Sequence, residues 1–233
     1  MVMGDVCTRS CRFCAVTRGT PAPLDESEPA RIAEAVGELK LSHVVITSVT
    51  RDDLEDGGAA HFGAAVRMLK NLNPQITIEV LVPDFRGREE SARTVVDAGP
   101  DVFNHNVETV PSLYSKVRPQ ADYKVSLDVL RFAKGLRPDM LTKSGLMVGL
   151  GERSPEVETV MSDLVDIGCD ILTIGQYLRP SPQHLPVVEF VEPMEFERYR
   201  ELGKHLGFKA VASGPFVRSS YNALEVKKEA QSH

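Results

Sequence analysis

Three cysteines fall within eight residues near the start of the chain, Cys7, Cys11 and Cys14, spaced C-x3-C-x2-C. Thiolates are soft ligands, and three this close together can each hold one iron of a four-iron, four-sulfide cubane. The fourth cysteine, Cys169, lies far along the chain. A cubane held at three corners keeps one iron open to a substrate or cofactor. A zinc site wants four protein ligands, commonly in C-x2-C pairs, and only Cys11 and Cys14 form such a pair. Four cysteines in 233 residues are too sparse for a disulfide framework. Three thiols in a polar Arg/Ser/Thr stretch also do not read as core.

The chain is long enough for one domain with a full core. It is 42% hydrophobic and 26% charged, and its net charge of −6 argues against a general nucleic-acid binder. It has no run of about 18 apolar residues to span a membrane and no secretory signal. The unpaired cysteines fit a reducing cytoplasm. The segment Met1–Asp5 is expected to be a strand leading into the cysteine loop. Its abrupt start suggests a chain beginning inside a larger protein.

Positioning elements alternate along the rest. Apolar spacing predicts a helix over about 28–40, with Asp25 or Ser27 as its cap, then a strand at His43–Ser48. A charged, glycine-containing turn, Thr50–Gly58, leads into helical spacing at Phe62, Val66 and Leu69. Further strands are expected at Thr77–Val82, Val102–Val107, Lys143–Val148, Ile171–Ile174 and Lys209–Ala212. Helices are expected over about 89–98, through Leu127–Ala133, from Ser154-Pro155 onward, and through Phe196–Leu206. The regular alternation calls for parallel βα units. Six or seven units fall short of a closed eight-fold barrel, so the expected fold is α/β, an incomplete (β/α)6-type TIM barrel. An open doubly wound sheet is the alternative, without the glycine fingerprint after the first strand. The barrel is expected over residues 1–224, with a charged, frayed tail at 225–233.

In a βα barrel the active site gathers at the C-terminal ends of the strands, where this sequence concentrates its polar groups. The cysteine loop, Thr50–Asp53, Asn104–Glu108, Gly149–Glu152 and Gln176-Tyr177 all follow strands. Asp52 and Asp53 could equally cap the next helix, and Gly149 and Gly151 could be turn punctuation. His105 reads as a core or a functional histidine with equal weight, and His61 as a surface residue.

The C-x3-C-x2-C motif with Phe13 before its last cysteine resembles the radical S-adenosylmethionine (SAM) signature. In that family the open iron chelates the amino and carboxylate groups of SAM, whose cleavage gives a 5′-deoxyadenosyl radical. Longer stretches narrow the resemblance: Met3–Cys14, Val49–Ala59, Phe103–Thr109, Val117–Tyr123, Lys143–Glu152, Gly175–Ser181 and Gly214–Tyr221 are similar to the lipoyl synthase family in order along the whole chain. That resemblance implies a sulfurtransferase inserting two sulfur atoms, at C6 and C8, into a protein-bound octanoyl chain. It implies Cys7, Cys11 and Cys14 as ligands of the catalytic cluster, with Thr50, Arg51, Asn106 and Glu108 near SAM. The expected carrier is the lipoyl domain of a 2-oxoacid dehydrogenase E2 or the glycine cleavage H protein, and the reductant is a ferredoxin or flavodoxin.

The family also holds a second, auxiliary 4Fe-4S cluster through three cysteines ahead of the first strand and a serine of the Arg-Ser-Ser-Tyr motif. Ser220 matches that serine best, with Ser219 the alternative, and a hard oxygen ligand on iron would leave readily when sulfur is taken. The three auxiliary cysteines have no counterpart in this sequence. The resemblance therefore implies one cluster held well and the second poorly or not at all, unless a partner polypeptide supplies ligands. Two other readings share the first motif: another radical SAM enzyme, and a non-catalytic iron–sulfur or zinc-binding subunit of a split synthase.

Overall fold

The computed structural model describes residues 1–232. Six parallel strands form one sheet in sequence order: β3 (His43–Thr47), β4 (Thr77–Leu81), β5 (Val102–Asn104), β6 (Leu141–Val148), β7 (Ile171–Gln176) and β8 (Ala210–Gly214). Ahead of them, β1 (Val6–Cys7) and β2 (Thr17–Arg18) make a two-stranded ladder on either side of the cysteine loop. Helices α1 (Glu28–Glu38), α2 (Ala59–Leu72), α3 (Glu89–Asp97), α4 (Tyr114–Val117), α5 (Tyr123–Leu136), α6 (Ser154–Asp166), α7 (Pro193–Leu206) and α8 (Ala223–Gln231) complete the chain. The sheet does not close, since β3 and β8 remain its edges, and the expected incomplete barrel is the fold observed. The expected first strand at Met1–Asp5 shrinks to a single bridge, with Val2 N–H donating 2.7 Å to Thr47 O.

Strand periodicity sorts the core into two layers. Ile46, Ile78, Val80, Phe103, Leu146, Leu172, Ile174 and Val211 belong to the large core shared with the helices. That core draws on the apolar stripes of the helices, such as Phe62, Val66 and Leu69 of α2 and Val157, Val160, Met161 and Leu164 of α6. The alternate residues line the barrel interior in tiers. Val102, Leu141, Ile171 and Ala210 form the lowest tier, and Val226 and Ala230 of α8 pack against them. The expectation of a frayed end from 225 onward is therefore corrected: α8 plugs the barrel base, with Glu225, Lys228 and Glu229 on its outer face and Lys227 buried. Lys227 anchors it, donating to Thr77 Oγ1 at 3.3 Å. His233 lies outside the described residues.

The next tier is ionic. Lys143 Nζ of β6 donates to both carboxylate oxygens of Glu79 on β4, at 2.9 and 3.1 Å, and Asn104 Nδ2 of β5 donates to Glu79 at 2.8 Å. All three side chains are buried. A buried pair of this kind is costly to break from one side, because the survivor is left as an uncompensated charge. Lys143→Met is expected to lower the unfolding free energy by about 3–5 kcal/mol. Adding Glu79→Leu should recover most of that loss. Chemical denaturation of the two variants beside the parent chain measures both effects.

Candidate functional site

Residues 8–14 have almost no regular secondary structure, so side-chain anchors must fix the cysteine loop. Arg9 is the principal anchor: Nη1 and Nη2 reach Asp84, both at 2.6 Å, while Nε and Nη2 reach Asp52 at 2.7 and 3.0 Å. Arg9 and Asp84 are buried. Burial alone would raise the Asp84 pKa, but the hydrogen bonds and charge of Arg9 overcome it and hold the carboxyl at about 2. Thr8 ties the loop to the end of β3, with N and Oγ1 donating to Thr50 O at 3.1 and 2.9 Å and Oγ1 accepting from Asp52 N at 3.0 Å. Ser10 donates twice to Gln120 Oε1, and Arg12 N donates 2.8 Å to Val117 O. A strap between β7 and α7 secures the far side, where Leu185 N donates 3.2 Å to Arg12 O and His184 Nε2 lies 3.0 Å from Cys14 O.

Held in this way, Cys7, Cys11 and Cys14 line one cavity of about 700 Å³ together with Thr50, His105, Asn106, Glu108, Arg118 and His184. All three thiols are unpaired and partly exposed. Thr50 N–H and Arg9 N–H point at Cys7 Sγ, at 3.3 and 3.5 Å, the type of backbone donor that steadies a thiolate. Burial pushes the Cys11 thiol up to about 11 against the pull of Arg118, and burial also raises Cys14. Among the described residues no three His, Cys, Asp or Glu side chains are disposed around a single metal ion. A zinc ion takes all its ligands at one point, whereas a cubane takes each thiolate at a different corner. The donor set therefore fits an iron–sulfur cluster.

The opposite wall is rich in acceptors. Glu108 adopts φ 67° and is held there by its backbone, with its N–H donating 2.9 Å to Gly145 O and its O accepting from Met147 N at 2.9 Å. A left-handed glutamate is strained, and here the strain fixes a carboxylate at the cavity. Burial raises the Glu108 pKa, while Arg118 and Asn106 oppose the shift. Asn106 Oδ1 is buried without a partner. His105 donates from Nδ1 to Val82 O at 2.8 Å, which leaves Nε2 as the lone-pair nitrogen. Nε2 has no partner, and burial with the nearby Arg118 charge pushes the histidine down to about 4, so the ring is neutral.

Arg51 departs from expectation. It is 2% exposed, with Nε and Nη2 on Asp53 and Nη1 on Met3 O, and it does not line the cavity. Its role is to join the N-terminal segment to the β3–α2 turn. Asp52 and Asp53 cap no helix, because Arg9 and Arg51 claim them. Asp56 performs that role, accepting from Gly58 N and Ala60 N. Helix α6 is capped from Arg153, with Ser154 one residue inside. Glu152 closes its own turn onto Gly149 N and Leu150 N. His61, expected at the surface, is buried 2.6 Å from Glu28.

A second cavity of about 250 Å³ shares Phe13, Leu81, Asn106 and Glu108 with the first and extends past Gly145, Met147, Gly175 and Val217 to Ser219. Ser219 lines it, while Ser220 is exposed and does not. Cys169 sits just before β7, 4% exposed, at the opposite end of the barrel from the three-cysteine loop. Arg118 and His184 had no individual signal in the sequence, because only the folded chain brings them to the cysteines.

The radical SAM superfamily profile matches residues 1–164. Lipoyl synthase of Caldanaerobacter subterraneus subsp. tengcongensis is 65% identical over 96% of this chain and 78% of its own length. That of Caldicellulosiruptor saccharolyticus is 57% identical over 98% of this chain and 80% of its own length. Among solved structures, HydG, a maturase of the [FeFe]-hydrogenase, superposes with a TM-score of 0.72 at 14% identity, covering 97% of this chain and 52% of HydG. Methylornithine synthase (PylB) gives 0.66 at 14% identity over 99% of this chain and 80% of PylB.

Replacing Asp84 with Asn leaves Arg9 with one carboxylate fewer in a buried setting. A loss of about 3 kcal/mol at pH 7 is expected, together with lower iron retention on reconstitution. The folded-state pKa of Asp84 lies below its unfolded value of about 3.9, so its contribution is complete above that value and disappears as pH falls through about 2. Denaturation curves of both proteins should therefore differ at neutral pH and converge in strong acid.

Proposed function

The chain belongs to the lipoyl synthase family of the radical SAM superfamily, and from that membership we infer how its own residues divide the work of sulfur insertion. It is a radical SAM sulfurtransferase that uses a 4Fe-4S cluster and SAM and acts on an octanoyl chain carried by a lipoyl-carrier protein. Cluster and SAM together supply, when bound, the reductive radical chemistry that takes hydrogen from an unactivated carbon. Cys7, Cys11 and Cys14 would hold the cluster, with the Thr50 and Arg9 amides steadying Cys7. Asn106 and Glu108 offer acceptors for the donor groups of SAM, and Thr50 places its backbone at the same wall. Arg51 acts at one remove, holding the turn that carries Thr50.

The acyl chain would lie in the smaller cavity, whose Leu81, Leu146, Met147 and Val217 give it an apolar lining beside Asn106 and Glu108. Ser219, at the far end, is better placed than Ser220 to face bound groups. An auxiliary cluster as sulfur source would sit at that end. The polypeptide described here offers no further thiol there, because its remaining cysteine, Cys169, is sealed at the other end. We take the carrier to be an E2 lipoyl domain or the glycine cleavage H protein, the donor to be a ferredoxin or flavodoxin, and the compartment to be the cytoplasm. No helix of the described residues is long and apolar enough to cross a membrane.

The observation that carries this reading is the convergence of three unpaired thiols on one acceptor-walled cavity. Anaerobic reconstitution of the 233-residue chain should give about four irons, and 5′-deoxyadenosine on addition of SAM and a strong reductant. Cys14→Ala should abolish both. Zinc at one per chain with no deoxyadenosine would defeat the reading. About eight irons would show that ligands other than the cysteines complete a second cluster.

A further inference from the structure

The exposed arginines around the two cavities differ from those on the outer helices. On α1, α5 and α7 each exposed arginine lies against a carboxylate, as Arg31 does with Asp25, Arg131 with Asp128 and Arg198 with Glu195. At the cavity mouths that matching stops. Arg12, beside Cys11, and Arg18, on β2, are exposed at the edge of the three-cysteine cavity. Neither side chain makes a hydrogen bond or an ion pair among the described residues. Arg218, exposed at the smaller cavity, donates only to the carbonyls of Val217 and Pro215, at 2.6 and 3.4 Å. Arg179, exposed on the strap, donates from Nε to His184 O at 2.9 Å and from Nη2 to Pro182 O.

Carbonyls are neutral, so four guanidinium charges stand around the joint mouth without a counter-ion. Among the described residues Glu108 is the one carboxylate lining either cavity, and Arg118 offsets its charge. Glu189 and Glu192, exposed where the strap enters α7, line neither. The whole chain carries a net charge of −6, so the positive mouth is a matter of placement and not of composition. No lysine lines either cavity. A guanidinium offers a planar fork that takes a carboxylate through two charge-assisted bonds, whereas an ammonium acts as a point charge. Charges at the rim of an interface steer encounter and orient the partner more than they add affinity. A substrate carried covalently on a protein must bring that protein's surface to the mouth.

We propose that Arg12, Arg18, Arg179 and Arg218 form a docking rim for a carrier protein whose surface is acidic around its acylated side chain. This rests on the acyl-carrier substrate assigned above. The acyl chain enters the smaller cavity, and carboxylates beside its point of attachment meet the guanidinium forks. The rim selects among acylated proteins by surface charge, which the cavities do not sense.

The test measures equilibrium binding of an octanoylated E2 lipoyl domain, and of the same domain without its acyl chain, to the anaerobically reconstituted protein. Arg12→Glu/Arg18→Glu removes no internal hydrogen bond and should keep the iron content of the parent. It should bind both forms of the domain roughly tenfold more weakly at low salt, with the deficit shrinking as salt rises. Arg12→Gln/Arg18→Gln should lose less. Changing the acidic residues beside the domain's acylated position to amides should weaken binding to the parent and abolish most of the difference between parent and variants. Unchanged affinity in both variants would overturn the proposal. Loss confined to the acylated form would also overturn it, making the arginines shapers of the cavity. Weakened binding of a single-stranded oligonucleotide with domain binding intact would overturn it in favour of a phosphate-reading surface. A parent chain that binds neither form of the domain would refute the carrier reading itself, a failure distinct from that of the rim.

Discussion

The site depends on one buried ion-pair system, in which Arg9 is clamped between Asp52 and Asp84. The cysteine loop has no ladder of its own beyond the two-residue β1–β2 pair, so its backbone cannot fix the thiols. Arg9 lies midway between Cys7 and Cys11 and fastens the loop to the segments after β3 and β4. Being planar and always charged, its guanidinium can meet two carboxylates at once and so sets orientation as well as distance. Asp84 gains a second partner in the Arg86 amide, and the adjoining 3₁₀ turn runs through Phe85 and Arg86 at positive φ. The strained turn and the ion pairs support each other, since each needs the position the other imposes.

A second constraint is vertical. The barrel interior changes character from base to mouth: an apolar tier sealed by α8, the Glu79–Lys143–Asn104 tier, then the cavities. The ionic tier is wholly buried and lies between the plug and the site. Replacing such a pair by apolar groups commonly costs little, so its presence is not an argument for stability. It does tie β4, β5 and β6 together side chain to side chain, and the segments after β5 and the end of β6 carry Asn106, Glu108, Gly145 and Met147. Gly145 leaves room in that arrangement, since a Cβ there would fall 2.5 Å from Thr173 Oγ1 and 3.0 Å from Asn106 Oδ1.

The strap from Leu178 to Val191 shows how one polar side chain can organise a long connection. Gln176, the last residue of β7, donates from Nε2 to Glu189 O and accepts at Oε1 from Val191 N, both near 3 Å. Tyr177 Oη donates 2.8 Å to Leu185 O, and Leu185 packs with Phe13 and Val117. The strap thus reaches the cysteine loop from the far side of the barrel mouth, so the thiols are held from β3, β4 and β7 at once.

Much of this was legible in the sequence because it is local. The C-x3-C-x2-C spacing, the apolar stripes of α2 and α6, and the βα alternation are patterns over a few to thirty residues; the last two marked out elements, and the first singled out three thiols that line one cavity. Polar residues placed after the strands located the site. What the sequence could not supply was pairing across distance. Asp52 and Asp53 looked equally suited to capping a helix, and only the fold presents Arg9 and Arg51 to them. The tail from 225 looked solvated because its helical stripe is short, Val226 and Ala230, and only the open barrel base gives that stripe something to cover. Arg118 stands in the sequence only as one residue of the Val117–Tyr123 stretch, with no role of its own. The fold buries it beside three thiols and the Glu108 carboxylate, because burial and charged neighbours are properties of the surroundings and not of the residue.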